Sequence, residues 1–551
     1  MAGLARAAAL FVLLTVVLTW PLVGRLRMMD AGDSAFFAWA IAWELHAVAT
    51  DPARLPHGNF FHPLRYTLGM DEPVLGTTLL VAPLALFTTD AVLLFNVARL
   101  LTFVVSGITA YACARGLGGA EGPALVAGAA FAFSPIRTDQ LAHLSTLGTQ
   151  WLPLVVLFTF RFFRDGRARD ALLAALSFVL SAFACGYHGV IGLLVLPLAA
   201  VPVAWGRWRR MPVAALAAIA AAAGLAPLYL LHRAALDPLA YVRGAEETAQ
   251  FSAPLEAFLA THSWNRVWGE ATAPFRTSHS NNLFPGLVLP GLALAGAVGL
   301  WRERRRPTRE AVGLGILALA AAAVAMGPEI TAFGTPLLPG PFALAREIAV
   351  FRMIRVPSRS GAFLALALAL LAAKALHRWR DRPGWIAAAG AAAILETVIA
   401  PIPMPAWAQA VDSSKPAPAV YAWLAAQPGD APVVELPMLD FAGLGERPAF
   451  HESIYMLRST GHWKPLLNGY AGIEPAPYRQ LREFARSFPS PESLDAFRAR
   501  GARYVIVHRG GQGPNKLARL ERDLPAFLDG PAPRLRRVAE FEGDLLLELL
   551  Y

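Results

Sequence analysis

Residues 30–46, DAGDSAFFAWAIAWELH, directly follow a first apolar segment at residues 4–23. Two carboxylates, Asp30 and Asp33, therefore lie where a membrane-spanning helix would meet water. Aromatic side chains follow at helical spacing, which predicts a helix in the membrane interface with its rings among the headgroups. These aromatic residues are Phe36, Trp39 and Trp43. An ionisable group at such a boundary is a candidate functional residue, and the alternative is that Asp33 only caps the helix.

The composition is that of a protein with many membrane spans. The 551 residues are 56% hydrophobic and only 16% charged, with a mean hydropathy of +0.45, which excludes an ordinary soluble protein. The net charge of +10 is spread over short loops between apolar segments, so we expect no nucleic-acid partner. Both cysteines, Cys113 and Cys185, fall in apolar segments without zinc-ligand spacing, and we expect no metal site.

Apolar runs bounded by charges or prolines predict about eleven transmembrane helices. They are residues 4–23, 93–114, 122–135, 147–163, 171–185, 187–205, 211–231, 283–301, 311–326, 359–377 and 385–400. We interpret the first as a retained span, because no small-residue cleavage site follows it. Segment 73–88 contains two prolines and is predicted to be a half-buried or re-entrant helix.

Basic residues predict the orientation. Four loops, 161–170, 205–210, 302–310 and 374–384, carry 16 lysines and arginines and lie on one side, which is cytoplasmic by the positive-inside rule. The N-terminus is then cytoplasmic. The opposite side holds the long loops 24–92, 232–282 and 327–358, the short loop 136–146 and everything after residue 400.

The chain is predicted to form two domains, a polytopic all-α membrane domain at 1–400 and a small extracytoplasmic α/β domain at 401–551. The second begins with a proline-rich linker. Strands are predicted at 432–436, 504–508 and 545–550, and helices at 417–426, 478–487 and 491–500. About 140 residues suffice for one small domain.

Most of the residues that could carry out chemistry lie in the loops predicted to be on the outer side. Carboxylates, imidazoles and guanidiniums gathered on one membrane face are typical of a reaction site, although long loops hold most polar residues in any case. In FRMIRVPSRS, residues 351–360, three arginines enter a span from the side where they are disfavoured, and a bound phosphate would compensate them. The alternatives are snorkelling to headgroups or an ion pair with Glu347. Asp139 and His143 stand one helical turn apart and suit either a site or a structural hydrogen bond.

The order of these features resembles the membrane core of the GT-C glycosyltransferases, which include the protein O-mannosyltransferases and the lipid A aminoarabinose transferases. An outer acidic residue follows the first span, then a juxtamembrane helix, a proline-containing half-helix, and two spans leading to SPIRTDQ. The resemblance covers residues 1–400 as architecture and 1–165 as sequence pattern. FRMIRVPSR, VVELPM, HWKPLLNGYAG and ARYVIVH also look like bacterial YfhO-like membrane proteins with a C-terminal extracytoplasmic domain.

The GT-C resemblance implies an inverting enzyme of the cytoplasmic membrane, working at its outer face without a metal or other cofactor. It would transfer a sugar from a polyprenyl-phosphate donor to a hydroxyl of a glycan, lipid or protein. Asp33 best matches the carboxylate general base, and Asp30 is the alternative. Many GT-C members have adjacent acidic residues in this loop, whereas the spacing here is DAGD. The implied phosphate-binding residues are Arg137, Arg355 and Arg359, and the implied sugar- or acceptor-binding residues are His62, Glu72, Asp139 and His143.

Two other functions stay open. One is a transporter or flippase for a lipid-linked or anionic substrate, and the other is a non-catalytic envelope assembly protein that binds a partner through its C-terminal part. Ionisable groups in mid-span would favour transport, but the predicted spans contain few apart from Arg99 and Glu396. In the C-terminal part, HWKPLLNGYAG suits stacking on a sugar, or it is a buried loop packed on the membrane domain.

Overall fold

The computed structural model describes residues 2–241, 244–277, 281–404, 411–439 and 448–550. The protein is mostly helical. The helices before residue 400 are α1 (Ala2–Leu18), α2 (Asp33–Thr50), α3 (Leu75–Thr78), α4 (Ala82–Ala85), α5 (Ala91–Gly116), α6 (Glu121–Ala132), α7 (Pro135–Thr138), α8 (Leu144–Leu147), α9 (Leu152–Asp165), α10 (Ala168–Ala184), α11 (Gly186–Ala204), α12 (Met211–Leu236), α13 (Ala245–Gln250), α14 (Val288–Arg302), α15 (Arg309–Ala325), α16 (Phe342–Ala345), α17 (Gly361–Leu376) and α18 (Pro383–Leu395).

A helix occupies each of the eleven segments predicted to span the membrane. Within the described ranges, five are long and apolar enough to cross it, and three shorter apolar helices accompany them. The protein is therefore a membrane protein, while the number of spans and their orientation stay predictions. The five long helices are Ala91–Gly116, Leu144–Asp165, Gly186–Ala204, Trp208–Leu239 and Pro357–Trp379.

Helix α2 begins at Asp33, but its aromatic residues are not in the membrane interface. Phe36, Trp39 and Trp43 are at most 2% exposed, so the prediction that these rings lie among the headgroups is wrong. Trp39 lies 4.8 Å from Phe60, measured between ring centroids. The stripe buries itself because neighbouring protein, not lipid, covers α2 on this face.

Asp33 is not the cap of α2 either. Gly32 occupies the N-cap position with a φ of 78° and no side-chain capping bond, in the left-handed region that glycine adopts readily. The capping explanation for Asp33 is therefore wrong. Its carboxylate stands in the first turn, where the helix dipole favours a negative charge.

The segment 73–88 forms two single turns, α3 and α4, rather than one continuous helix. Glu44 of α2 holds the first turn, because its carboxylate accepts a hydrogen bond from the backbone N–H of Val74 at 2.8 Å. The end of the segment is exposed, with Leu86 81% and Phe87 86% accessible. This pattern fits the predicted half-buried segment.

The strands form three sheets. In chain order they are β1 (Met28–Met29), β2 (Glu329–Ala332), β3 (Thr335–Pro339), β4 (Val411–Asp412), β5 (Val433–Leu436), β6 (Tyr504–His508), β7 (Leu535–Phe541) and β8 (Asp544–Leu549). The largest sheet has the order β5-β6-β8-β7, in which β5 and β6 are parallel and the other pairs antiparallel. The helices around it are α19 (Ala419–Ala426), α20 (Glu452–Ser459), α21 (Ala476–Ala485), α22 (Pro491–Arg498) and α23 (Pro514–Leu528).

The C-terminal part packs on the loop at residues 24–92 and on helix α2. β4 pairs with β1, so residues 411–412 of the predicted linker are tied to Met28 and Met29, which follow the first apolar segment. Asn59 accepts a hydrogen bond from the Trp39 indole at 2.9 Å and donates to the Ser459 hydroxyl at 3.0 Å. A single buried apolar cluster contains residues of both α2 and the large sheet. The division into two domains, with the second outside the membrane, stays a prediction.

A buried charged group joins three strands of the large sheet. His508 of β6 lies 2.9 Å from the Glu435 carboxylate of β5 and 2.7 Å from the Asp544 carboxylate of β8. Burial disfavours the imidazolium, but hydrogen bonds to both carboxylates outweigh it and raise the pKa of His508 to about 9. Tyr421 also donates to Glu435, at 2.7 Å.

Candidate functional site

A cavity of 1210 Å³ opens beside the start of α2. One end is polar and the rest of the wall is largely apolar. The charged and titratable residues of its lining include Asp33, Asp71, Glu72, His143, Arg355 and Arg359. Five of these six belong to the residues that sequence reasoning assigned to the site, and the fold brings them together from four separate stretches of chain.

Asp33 is held by two side chains. Its Oδ2 lies 2.8 Å from Nε2 of His143, and its Oδ1 accepts a hydrogen bond from the Tyr470 hydroxyl at 2.8 Å. Burial alone would raise the pKa of Asp33, but the charge and hydrogen bond of His143 and the bond from Tyr470 lower it to about 2. Asp33 is therefore a carboxylate at any physiological pH.

Asp30 occupies a different environment. It does not line the cavity and faces Ser34 and the charge of Arg99. Burial dominates and raises its pKa. Because Arg99 also donates to the Ser34 hydroxyl at 3.2 Å, this polar group ties the start of α2 to α5. The geometry thus separates the two aspartates and places only Asp33 at the cavity.

Asp71 and Glu72 follow a turn of 3-10 helix at Thr67–Met70. The Asp71 carboxylate accepts the backbone N–H of Gly472, so a C-terminal segment closes this side of the cavity. Burial, reinforced by the charges of Asp33 and Glu72, raises the pKa of Asp71 to about 6. Asp71 is therefore a titratable group near neutral pH at the same cavity end as Asp33.

Two of the three predicted phosphate-binding arginines reach this polar end. Arg355 places Nε 2.7 Å from a carboxylate oxygen of Glu247, and Arg359 places Nη1 3.5 Å from Glu72. A guanidinium has five N–H donors in a planar fork, which matches the oxygens of a phosphate. Both arginines line the cavity.

Arg137 lies elsewhere. Its side chain is 2% exposed, and its guanidinium donates to the backbone carbonyls of Ala132 and, at 2.9 Å, Leu147. These bonds fix the connection between α6 and α9. It lines a smaller cavity next to the main one, and its predicted phosphate role stays a prediction.

The two remaining predicted site residues, Asp139 and His62, do not line the large cavity. Asp139 accepts a hydrogen bond from the Asn282 amide at 3.3 Å, and burial raises its pKa to about 7. It stands behind His143 rather than at the large cavity. His62 lies against the C-terminal part, where its backbone N–H donates to Leu466 at 2.8 Å, and it lines neither cavity.

The apolar part of the cavity lies between α9, α10, α11 and α12. Small and aliphatic side chains form most of its wall, including Ala175, Ala218, Ala221 and Leu225. It reaches Phe163, within the basic segment 161–170, and Met211, next to the basic segment 205–210. Only 11% of the α12 span is buried, so most of its side chains are exposed, while Ala221 packs on α10.

In the ranges that the structure describes, no group of three or more His, Cys, Asp or Glu side chains is arranged to hold a metal ion.

The family comparison matches residues 73–398, more than half of the chain, to a family described as "Domain of unknown function (DUF6311)". The chain belongs to the DUF6311 family. The match contains His143, Arg355 and Arg359, and it ends before Tyr470. No curated protein sequence matches this DUF6311 member.

Several solved structures are similar to this DUF6311 chain, to different degrees. The arabinofuranosyltransferase AftD from Mycobacteria is similar over 98% of this chain and 39% of its own, with a TM-score of 0.54 and 17% identity. The chain thus spans about two fifths of AftD. The archaeal oligosaccharyltransferase AglB from Archaeoglobus fulgidus matches 92% of this chain and 69% of its own, with a TM-score of 0.49 and 12% identity. ArnT from Cupriavidus metallidurans matches 98% and 96%, with a TM-score of 0.37 and 14% identity.

The AftD likeness shows a shared fold and agrees in fold alone with the predicted GT-C resemblance. The closer likeness to YfhO-like proteins stays a prediction. Sequence reasoning did not assign Tyr470 or Asp71 to the site, although Asp71 stands beside Glu72. Tyr470 lies within HWKPLLNGYAG, which the sequence singled out, but nothing in one sequence indicates a contact with Asp33.

Proposed function

We propose that this protein is an inverting membrane glycosyltransferase that moves a sugar from a polyprenyl-phosphate donor to an acceptor hydroxyl at the outer face of the cytoplasmic membrane. The observation that carries the proposal is the large cavity. An ionised Asp33 stands at its polar end beside two arginines, and a long apolar groove continues from there between helices. A lipid chain with a phosphate head requires these two environments in contact.

Asp33 acts as the general base. The acceptor oxygen forms a bond to the anomeric carbon while the bond from that carbon to the phosphate oxygen breaks, and the hydroxyl proton passes to Asp33. The lipid phosphate leaves with the electron pair. A carboxylate of low pKa is a weak base, but it suffices when the transition state resembles an oxocarbenium ion and the hydroxyl loses its proton late.

Arg355 and Arg359 stabilise the departing phosphate. Charge accumulates on its oxygens as the glycosidic bond breaks, and fixed guanidinium donors lower the energy of that state. Glu72 and Glu247, which now contact these arginines, keep them in place before the donor binds. Glu72 and His143 also stand where they reach sugar or acceptor hydroxyls.

The second candidate function is a flippase for a lipid-linked substrate. The observation that favours it is the length of the cavity, which continues from Asp33 to Phe163 and Met211 near the basic loops. A flippase needs no general base. Only the glycosyltransferase function therefore requires the Asp33 carboxylate.

Asp33→Asn tests the proposal. Cells that lack the gene are complemented with wild type or variant, and their envelope glycans are compared by mass spectrometry. General-base catalysis contributes roughly 10²- to 10⁴-fold, so Asp33→Asn should abolish the added sugar while the purified protein still binds polyprenyl phosphate. Asp30→Asn is the matched control and should retain transfer. Full transfer by Asp33→Asn would refute the proposed base, and unchanged glycans on deletion of the gene would refute the function.

A further inference from the structure

Three arginines lie at the end of the large cavity that is farthest from its polar end. The wall of the cavity follows α12 from Met211 to Leu236, so its two ends are roughly 38 Å apart along the helix axis. The C-terminal end of α12 is at the polar end, because His232 contacts the carbonyl of Gly69, in the turn before Asp71, at 2.7 Å. The other end meets the arginine cluster, which comprises Arg207, Arg210 and Arg309.

The arginine cluster is held by the C-terminal ends of α9 and α11. Its guanidiniums donate to backbone carbonyls in the last turns of these helices or directly after them. The bonds run from Arg207 to Val203, from Arg210 to Phe162 at 3.3 Å and to Phe163, and from Arg309 to Trp205 at 2.7 Å. Neutral carbonyls, and not carboxylates, accept these bonds, so the bonds hold the side chains in place without cancelling their charge.

The three positive charges act on one another. Burial, followed by the charges of Arg309 and Arg210, lowers the pKa of Arg207, while the carboxylate of Glu310 acts in the opposite direction. One carboxylate against three guanidiniums leaves the arginine cluster with a net positive charge. An anion with several oxygens, such as a phosphate, would compensate that charge and accept the remaining N–H donors.

The surroundings of the arginine cluster indicate which phosphate would reach it. Trp205 and Trp208 in the same loop are 65% and 69% exposed, and exposed indoles concentrate where the hydrocarbon of a bilayer meets the headgroups. The cluster thus lies at headgroup level, on the side that the basic loops predict to be cytoplasmic. The adjoining cavity wall is apolar, with Val201, Ala204 and Ala214 among its residues. A cationic surface above an apolar channel suits an anionic headgroup with an acyl chain.

We propose that the arginine cluster and the adjoining end of the large cavity bind an anionic phospholipid of the cytoplasmic leaflet. Its phosphate contacts the three guanidiniums, and one acyl chain enters the cavity beside Phe163 and Ala214. A phospholipid is favoured over a polyprenyl phosphate, because a phosphate at this end lies too far from Asp33 to take part in a reaction there. The site is therefore independent of the proposed glycosyl transfer.

Native mass spectrometry of the purified full-length protein, titrated with single lipids, tests the headgroup contact. The probes are phosphatidylglycerol and phosphatidylcholine with identical acyl chains, and we expect phosphatidylglycerol to bind about tenfold more tightly. Arg207→Gln and Arg309→Gln should each reduce this preference about fivefold, the effect of one arginine beside an anionic lipid, and leave phosphatidylcholine binding unchanged. Arg382→Gln is the matched control, because Arg382 is exposed on another loop predicted to be cytoplasmic and does not line the cavity.

A second pair of variants tests the acyl-chain contact. Ala214→Trp should fill the end of the cavity and weaken phosphatidylglycerol binding at least fivefold. Ala215→Trp should not, because the neighbouring Ala215 is exposed and does not line the cavity.

Three outcomes would overturn the proposal. The first is an equal loss of preference in Arg382→Gln, which would mean general attraction to a basic surface. The second is unchanged phosphatidylglycerol binding in Ala214→Trp. In the third, bare polyprenyl phosphate displaces phosphatidylglycerol, and its own binding falls in Arg207→Gln and Arg309→Gln. That result would assign the arginine cluster to polyprenyl phosphate and favour the flippase.

Discussion

The hydroxyl of Tyr470 donates a 2.8 Å hydrogen bond to Asp33, although 437 residues separate them in the chain. The C-terminal part thus contributes directly to the candidate site in the membrane part. Gly472, two residues further on, binds Asp71 through its backbone. This segment therefore fixes two carboxylates of one cavity and makes the C-terminal part a component of the site.

Tyr470→Phe should lower glycosyl transfer about tenfold or more, because a hydrogen bond to a charged group contributes about 1.5–3 kcal/mol and its loss leaves Asp33 less well oriented. The measurement is the rate of sugar transfer in membranes at saturating donor. Tyr421→Phe is the matched control, because it removes a buried tyrosine hydroxyl bond to Glu435 far from the cavity. Equal rates in the two variants would contradict the positioning role of Tyr470.

Arg355→Ala and Arg359→Ala should each weaken the binding of polyprenyl phosphate about tenfold, as expected for one charge-assisted contact. The affinity of the purified protein for bare polyprenyl phosphate is the measurement. Arg266→Ala serves as control, since Arg266 donates to the Pro401 carbonyl and does not line the cavity. Unchanged affinity in both site variants would remove the argument for a phosphate site.

Ala218→Trp should block the apolar groove, because Ala218 lines it and an indole would fill space between α12 and α10. We expect binding of long-chain polyprenyl phosphate to fall at least tenfold, while a short-chain analogue still binds. Ala220→Trp lies on the same helix, is also exposed and does not line the cavity. If both variants bind the long chain like wild type, the groove does not hold the lipid.

The stability of the protein should fall as the pH rises through the pKa of His508. The folded-state pKa is raised from 6.5 to about 9, so the stabilisation is fully present below pH 6.5 and is lost by about pH 9 to 10. The melting temperature between pH 6 and 10 measures this loss. His508→Gln should flatten the curve in that window, and an unchanged slope would contradict the assignment.

Glu452, in the same part of the chain, is a second group whose ionisation should change the stability of the protein. Burial raises its pKa from 4.5 to about 8, so the folded state favours the protonated acid and loses stability between pH 4.5 and 8. Glu452→Gln should remove the decline between pH 4.5 and 6.5 and leave the decline between about pH 6.5 and 9, which then belongs to His508 alone. The same melting series distinguishes the two groups.

Regular elements were predictable where the local pattern is strong. Strands were predicted at 504–508 and 545–550, and the structure has β6 at Tyr504–His508 and β8 at Asp544–Leu549. Strand β7, Leu535–Phe541, was missed because LRRVAEF has neither a strict apolar/polar alternation nor a continuous apolar run, and it lies at the sheet edge. Helices α20 and α23 were missed as well. Their charged faces gave no continuous apolar run.

The sequence by itself determined the membrane character and the positions of the eleven apolar helices. It also singled out the acidic residue Asp33, which follows the first apolar segment. Hydrophobicity and helical spacing are local properties, and each is complete within one segment of chain. The tertiary structure decided which polar residues meet. It joined Asp33 to His143 and Tyr470, separated Asp30 and His62 from the cavity, and buried the aromatic face of α2. Those outcomes depend on packing between segments hundreds of residues apart, where burial and charge pairing, and not local pattern, select the partners.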